Sequence, residues 1–232
     1  MSTSLAESLH TLIDAEAARL HQVIDELLAR HAEPAAPSHA ARICIDAGHG
    51  GGDPGAVVGN VQEKDVILEY ALELGRQLGA RGHRIRLTRG DDTFLQLSDR
   101  ARISNEMAAD CFLSIHANFA SSEVADGAWI IHAEGSRLGR GLAKAIFSEL
   151  ATVPGILDKD PETEVYADAT PWVGGRRLTV LRKTYAPAVL VELGFLSNAD
   201  DLTQLLDPDE RWRICKAIAN GIEAWSKGRS IH

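Results

Sequence analysis

Four residues carry the types that hydrolytic chemistry needs: His49, Glu63, His116 and Glu192. His49 stands in a glycine-rich stretch, ICIDAGHGGGDPGAV, from Ile43 to Val57. Gly50, Gly52 and Gly55 satisfy the spacing G-x-G-x-x-G, which elsewhere marks a dinucleotide site. That fingerprint needs a helix opening at the glycines, so that amide N–H groups point at a pyrophosphate. Here Pro54 lacks an N–H, and the next helical pattern begins only near Glu63. The GK[ST] of a phosphate-binding loop is absent as well. Glycine also lets a backbone turn sharply and approach another group closely, which suits a loop wrapped around a metal ion or a substrate.

Glu63 falls in the first turn of a helix, where a carboxylate is stabilised by the helix dipole and need do nothing else. His116, in LSIHAN, ends a strand that reads as buried. A buried imidazole wants a partner for each ring nitrogen, and a core hydrogen bond or a zinc ion would serve. His132, in WIIHAE, also ends a strand and ranks below His116 as a ligand. Glu192 lies in PAVLVELGFL, apolar on both faces. An unpaired carboxylate there is costly, so it must be paired, protonated or close to a cation, which makes it a candidate for proton transfer. Two imidazoles and a carboxylate match catalytic zinc sites, in which three protein groups hold the metal and a fourth position takes water. The residues are far apart in sequence and form no short metal motif, so spacing alone does not establish a site.

The elements that must position them alternate from Arg42 onward. RICID, HRIRLTR, DCFLSIH, AWIIH, LTVL and AVLVEL read as strands. Between and after them, KDVILEYALELGRQLGARG, LQLSDRARISNEMAA, SRLGRGLAKAIFSELA and PDERWRICKAIANGIEAWSKG carry helical periodicity. Alternation of this kind predicts an α/β fold: a central, twisted, mainly parallel sheet with helices on both faces. Ligands of such sheets bind beyond the carboxyl ends of the strands, where His49, His116 and Glu192 fall. An irregular stretch over 152–175 is long for a connection and is expected to border the site.

Before this domain, assigned to residues 41–228, an amphipathic helix is expected over residues 1–31. Its apolar stripe includes Leu5, Leu9, Leu12, Leu20, Val23 and Leu27, and suits packing on the main domain or a homodimer. A Pro/Ala linker over 32–40 follows. A net charge of −9 and pI of about 5.5 argue against nucleic-acid binding. No segment is long and apolar enough to span a bilayer. Cys44, Cys111 and Cys215 are too dispersed for a disulfide framework or a thiolate zinc site and are expected to be reduced and buried. The N-terminus shows no basic, then apolar, signal-peptide pattern. Synthesis in the cytoplasm without a visible export signal is therefore expected.

IDAGHGGGDPGA, EKD, LTRGDD, LSDRARISNEMAADCFLSIHAN and VLRKTYAPAVLVELGFLSN, in this order, resemble the zinc-dependent N-acetylmuramoyl-L-alanine amidases, the type 3 family of cell-separation and phage lytic enzymes. The resemblance runs from about Arg42 to Trp225. It implies one zinc ion per chain held by His49, Glu63 and His116. Glu192 becomes the catalytic carboxylate, and Asn118 and Arg182 become residues that shape the site or contact substrate. The implied reaction cleaves the amide joining the lactyl group of N-acetylmuramic acid to L-alanine in peptidoglycan. It further suggests that Asp158, Asp160, Glu162 or Glu164 could reach across and block the metal. Two other readings stand beside it. One is a zinc carboxypeptidase on the same scaffold, and the other a non-catalytic wall-binding adaptor acting through the N-terminal helix.

Overall fold

The computed structural model describes residues 40–121, 125–156, 165–168 and 178–228. The expected N-terminal helix, with any homodimer built on it, lies outside the described residues, as do the linker up to residue 39 and the four acidic residues of the irregular stretch, Asp158, Asp160, Glu162 and Glu164.

A six-stranded sheet organises the domain. In chain order its strands are β1 (Arg42–Ala47), β4 (Arg84–Leu87), β5 (Cys111–Asn118), β6 (Trp129–His132), β7 (Val165–Ala167) and β8 (Ala188–Phe195). A short hairpin of β2 (Val57–Val58) and β3 (Val61–Gln62) stands apart from it. The spatial order is β4-β1-β5-β8-β6-β7. Every neighbouring pair runs parallel except β6 against β8, so the expected mainly parallel sheet is the one observed.

Side chains alternate between the two faces, as strand geometry requires. Ile43 and Ile45 of β1, Leu113 and Ile115 of β5, and Val189 and Val191 of β8 enter the larger core. There they meet Ile67 and Leu74 of helix α1 (Glu63–Ala80), Leu142 and Ile146 of α3 (Arg137–Leu150), and Ile214 and Ile218 of α6 (Pro208–Lys227). On the opposite face Cys44, Phe112 and Leu190 pack with Val180 and Leu181 of α4 (Thr179–Lys183), against Ile103 of α2 (Leu97–Glu106). All three cysteines are free and buried, as expected.

The LTVL run, expected as a strand, instead opens α4. Its turn closes when the Arg182 N–H donates to the Leu178 carbonyl at 3.0 Å. A short apolar run has no periodicity to tell strand from helix. Here β8 already has β5 on one side and β6 on the other, so the run packs Val180 and Leu181 onto a face of the sheet. Further elements escaped the sequence reading: the β2–β3 hairpin, β7 inside the irregular stretch, and α5 (Ala199–Leu206), capped by Asn198, whose Oδ1 accepts from the Asp200 and Asp201 amides.

Beneath the carboxyl end of β1 lies a buried polar network. Asp46 accepts from Thr88 Oγ1 and Ser114 Oγ at 2.6 Å each, and from Arg100 Nη1 at 2.9 Å. The fold thus surrounds this acid with donors instead of leaving an uncompensated charge.

Candidate metal centre

β1 ends at Ala47, and the chain turns away through Gly48 and His49. His49 adopts the left-handed conformation, with φ of 57°, which a side chain with a Cβ rarely takes without support. Two arginines from neighbouring elements supply that support. Arg89 donates from Nε to the Ala47 carbonyl at 2.9 Å and from Nη2 to the Gly48 carbonyl at 2.7 Å. Arg100 donates from Nη1 to the Ala47 carbonyl and from Nη2 to the His49 carbonyl, both at 2.6 Å. Charged donors on carbonyls make strong hydrogen bonds, and these fix the path of the loop beyond the carboxyl end of β1.

His116 comes from β5 and Glu192 from β8. The two strands are parallel neighbours in which His116 is paired with Glu192, so both side chains leave the same face side by side. Glu63 is the first residue of α1. Its backbone N–H donates to the Ala56 carbonyl at 2.8 Å. Its Oε2 accepts from the Ala56 amide at 2.9 Å, and its Oε1 from the Ala117 amide at 3.1 Å.

These elements bring His49, Glu63 and His116 together. His49 Nε2 and His116 Nδ1 each lie 3.1 Å from Glu63 Oε1, and the imidazole centroids are 5.0 Å apart. One ligand atom from each residue falls within 4.8 Å of the others. Tetrahedral zinc with bonds of about 2.0–2.1 Å requires donor separations of roughly 3.3 Å, so the donor set and its spacing fit such an ion. The glycines make room for the cluster. A Cβ at Gly48 would overlap the His116 ring, and one at Gly55 would overlap Glu63 and His49 Cδ2.

Charge inside the cluster is strongly coupled. Burial alone would raise the Glu63 carboxyl, but hydrogen bonds from His116 and His49 outweigh it and hold the group well below the usual carboxylate range. Burial alone would lower the His49 imidazole, yet its bonds to Glu63 and Asp53 raise it. For Glu192, burial outweighs the lowering influence of His116 and His49. Its Oε2 is buried and has no hydrogen-bond partner among the described residues, and desolvation pushes its carboxyl up to about 7.

A cleft of about 390 Å³ opens over the cluster, lined by His49, Glu63, His116 and Glu192 together with Asn118, Val57 and Phe119. The last two are half exposed, at 50% and 54%, and form an apolar rim. Asn118 therefore reaches the site, its Oδ1 accepting from the Phe119 amide at 2.8 Å. Arg182 does not line this cleft. It donates from Nε and Nη2 to both oxygens of buried Asp168, at 2.8 and 2.7 Å. His132, ranked below His116, lies apart from the cluster, with Nδ1 3.0 Å from the Ala133 carbonyl. The sequence reading missed Arg89, Arg100 and Asp53. Of these only Asp53 carried a local signal, four residues beyond His49.

Residues 43–224 match the family described as N-acetylmuramoyl-L-alanine amidase. The chain belongs to that family of amidases. The amidase is 32% identical over 201 residues to the protein YqiI of Bacillus subtilis, covering 85% of this chain and 91% of that one. It is 30% identical over 203 residues to the probable cell wall amidase LytH of Staphylococcus aureus. That match takes in 86% of this chain but 63% of LytH, so the chain spans under two thirds of the staphylococcal protein. Among solved structures, the catalytic domain of the amidase CwlV from Bacillus (Paenibacillus) polymyxa superposes with a TM-score of 0.71 at 32% identity, covering 81% of this chain and 98% of that one. Family membership makes the amidase a hydrolase of peptidoglycan. Among the described residues no helix is long and apolar enough to cross a membrane.

Proposed function

We propose that the chain cleaves the amide between the lactyl group of N-acetylmuramic acid and L-alanine, with one zinc ion held by His49 Nε2, Glu63 Oε1 and His116 Nδ1. The observation that carries this reading is the convergence of those three atoms in one cleft with Glu192. When bound there, zinc supplies Lewis acidity and lowers the pKa of a coordinated water from about 16 to about 7.

The chain's own groups do the rest. Glu192 accepts the proton of the attacking water and returns it to the departing nitrogen of L-alanine. An amine leaves poorly unless protonated, so the second transfer matters as much as the first. With a dication held by His49, Glu63 and His116, opposite charge would favour the ionised form of Glu192 and bring its carboxyl down from its raised value. The base is then charged before attack and protonated after it. Asn118 borders the cleft and is assigned a contact to substrate. Arg182 is assigned no contact to substrate: it is tied to Asp168, which also accepts from the Glu134 and Leu178 amides.

Digestion of purified sacculi tests the reaction. Mass analysis is expected to show new N-terminal alanine and muramyl residues with a free lactyl carboxyl. The products should vanish with a chelator and return with added zinc. Release of C-terminal residues or new reducing sugar ends would replace the assignment.

The catalytic domain is assigned to residues 41–228, and the wall is its place of action. Removal of residues 1–39 is expected to leave a soluble enzyme with unchanged activity on sacculi. An insoluble product would make the N-terminal segment part of the domain.

A further inference from the structure

The loop between β1 and the hairpin holds a carboxylate that the reaction does not use. Asp53 Oδ2 lies 2.9 Å from His49 Nδ1, the ring nitrogen remote from Glu63. Asp53 Oδ1 accepts from the Gly55 amide at 3.1 Å, which fixes the carboxylate's own orientation. We propose that Asp53 is a positioning residue for the metal. By accepting the Nδ1 proton it fixes His49 in the tautomer whose Nε2 lone pair points at the zinc position. The inference rests on the zinc reading.

The argument depends on what else holds the loop. Apart from the Gly55 amide, its backbone is pinned independently of the Asp53 side chain. Arg89 and Arg100 carry the carbonyls of Ala47, Gly48 and His49. Lys64 Nζ donates to the Gly51 carbonyl at 3.0 Å, and Asp92 accepts the Gly51 amide at 2.7 Å. Asp53 itself is tied to Gly50 by two backbone hydrogen bonds, of 2.9 and 3.1 Å. The loop therefore keeps its path when the carboxylate is removed. What changes is the imidazole. Without an acceptor at Nδ1 the ring is free to rotate about its χ angles and to place its proton on Nε2, where it would block coordination. A carboxylate accepting from the remote nitrogen also makes the ligating nitrogen a better donor.

The side chain of Asp53 is 45% exposed, so replacing it leaves no buried hole. Asp53→Ala is expected to weaken zinc binding by about 10–100-fold, the usual cost of losing such a partner. Asp53→Asn, which keeps an acceptor without the charge, should fall between Ala and wild type. Affinity is read by competition with a chromophoric chelator, starting from metal-free protein, and the melting temperature of each metal-free protein is recorded alongside. The proposal expects those temperatures to differ by no more than about 4 °C. Zinc affinities that are indistinguishable among the three proteins overturn it. So does an affinity loss accompanied by collapse of the metal-free fold, which would make Asp53 a support of the loop. A wild-type protein that takes up no zinc overturns the zinc reading instead, and the wild-type titration separates the two failures.

Discussion

Glu192→Gln is expected to reduce turnover on peptidoglycan by about 10²–10⁴-fold, the range lost with a general acid–base, while zinc content stays at one per chain. Gln matches Glu in shape, so the side chain keeps its place on β8 beside His116. It can neither accept the water's proton nor deliver it to the amine. The metal ligands are untouched. Stability should not suffer, because the substitution removes a carboxylate whose Oε2 is buried without a partner, an arrangement that costs free energy. The measurements are initial rates on sacculi or a muramyl peptide, metal content by elemental analysis, and thermal melting. Near wild-type turnover would remove Glu192 from the mechanism and leave the cluster without a proton carrier.

Arg100→Met is expected to destabilise the domain by about 3–5 kcal/mol, the usual consequence of stripping one partner from a buried ion pair. In the pair Arg100–Asp46 the side chains are 3% and 1% exposed. Thr88 and Ser114 would still donate to the stranded carboxylate, but neutral donors do not replace a cation. The same change frees the carbonyl of His49 and leaves that of Ala47 to Arg89 alone, so the metal loop should loosen along with the fold. For a chain of this size the expected fall in melting temperature is roughly 6–20 °C. Adding Asp46→Asn should restore part of the loss, since the charge in need of compensation is then gone, and the double-mutant cycle measures the coupling directly. A loss below about 1 kcal/mol in Arg100→Met would mean that the network is not a true charge pair.

Some elements could be read from the chain because their signals are local. RICID, DCFLSIH and AVLVEL are near-continuous apolar runs, which strands buried on both faces of a parallel sheet must be. The 3.6-residue pattern of α1, α3 and α6 reflects a single buried face each. LTVL was misread because a run of four residues, three of them apolar, suits either state, and the choice fell to the neighbours of β8. The antiparallel pairing of β6 with β8 was likewise invisible, since strand direction is a property of two segments and not of one.

The same division holds for the site. Sequence alone determined the chemical types: which imidazoles stand at strand ends, which carboxylate an apolar strand cannot leave unpaired, and where glycines clear space. The tertiary structure decided that His49 Nε2 and His116 Nδ1 both approach Glu63 Oε1 at 3.1 Å, and that Arg89 and Arg100 hold the His49 loop while Arg182 turns to Asp168. The physical reason is that these distances follow from β1–β5 and β5–β8 register and from where α1 begins. Each is fixed by burial and hydrogen bonding between segments tens of residues apart, and no local pattern of residues encodes it.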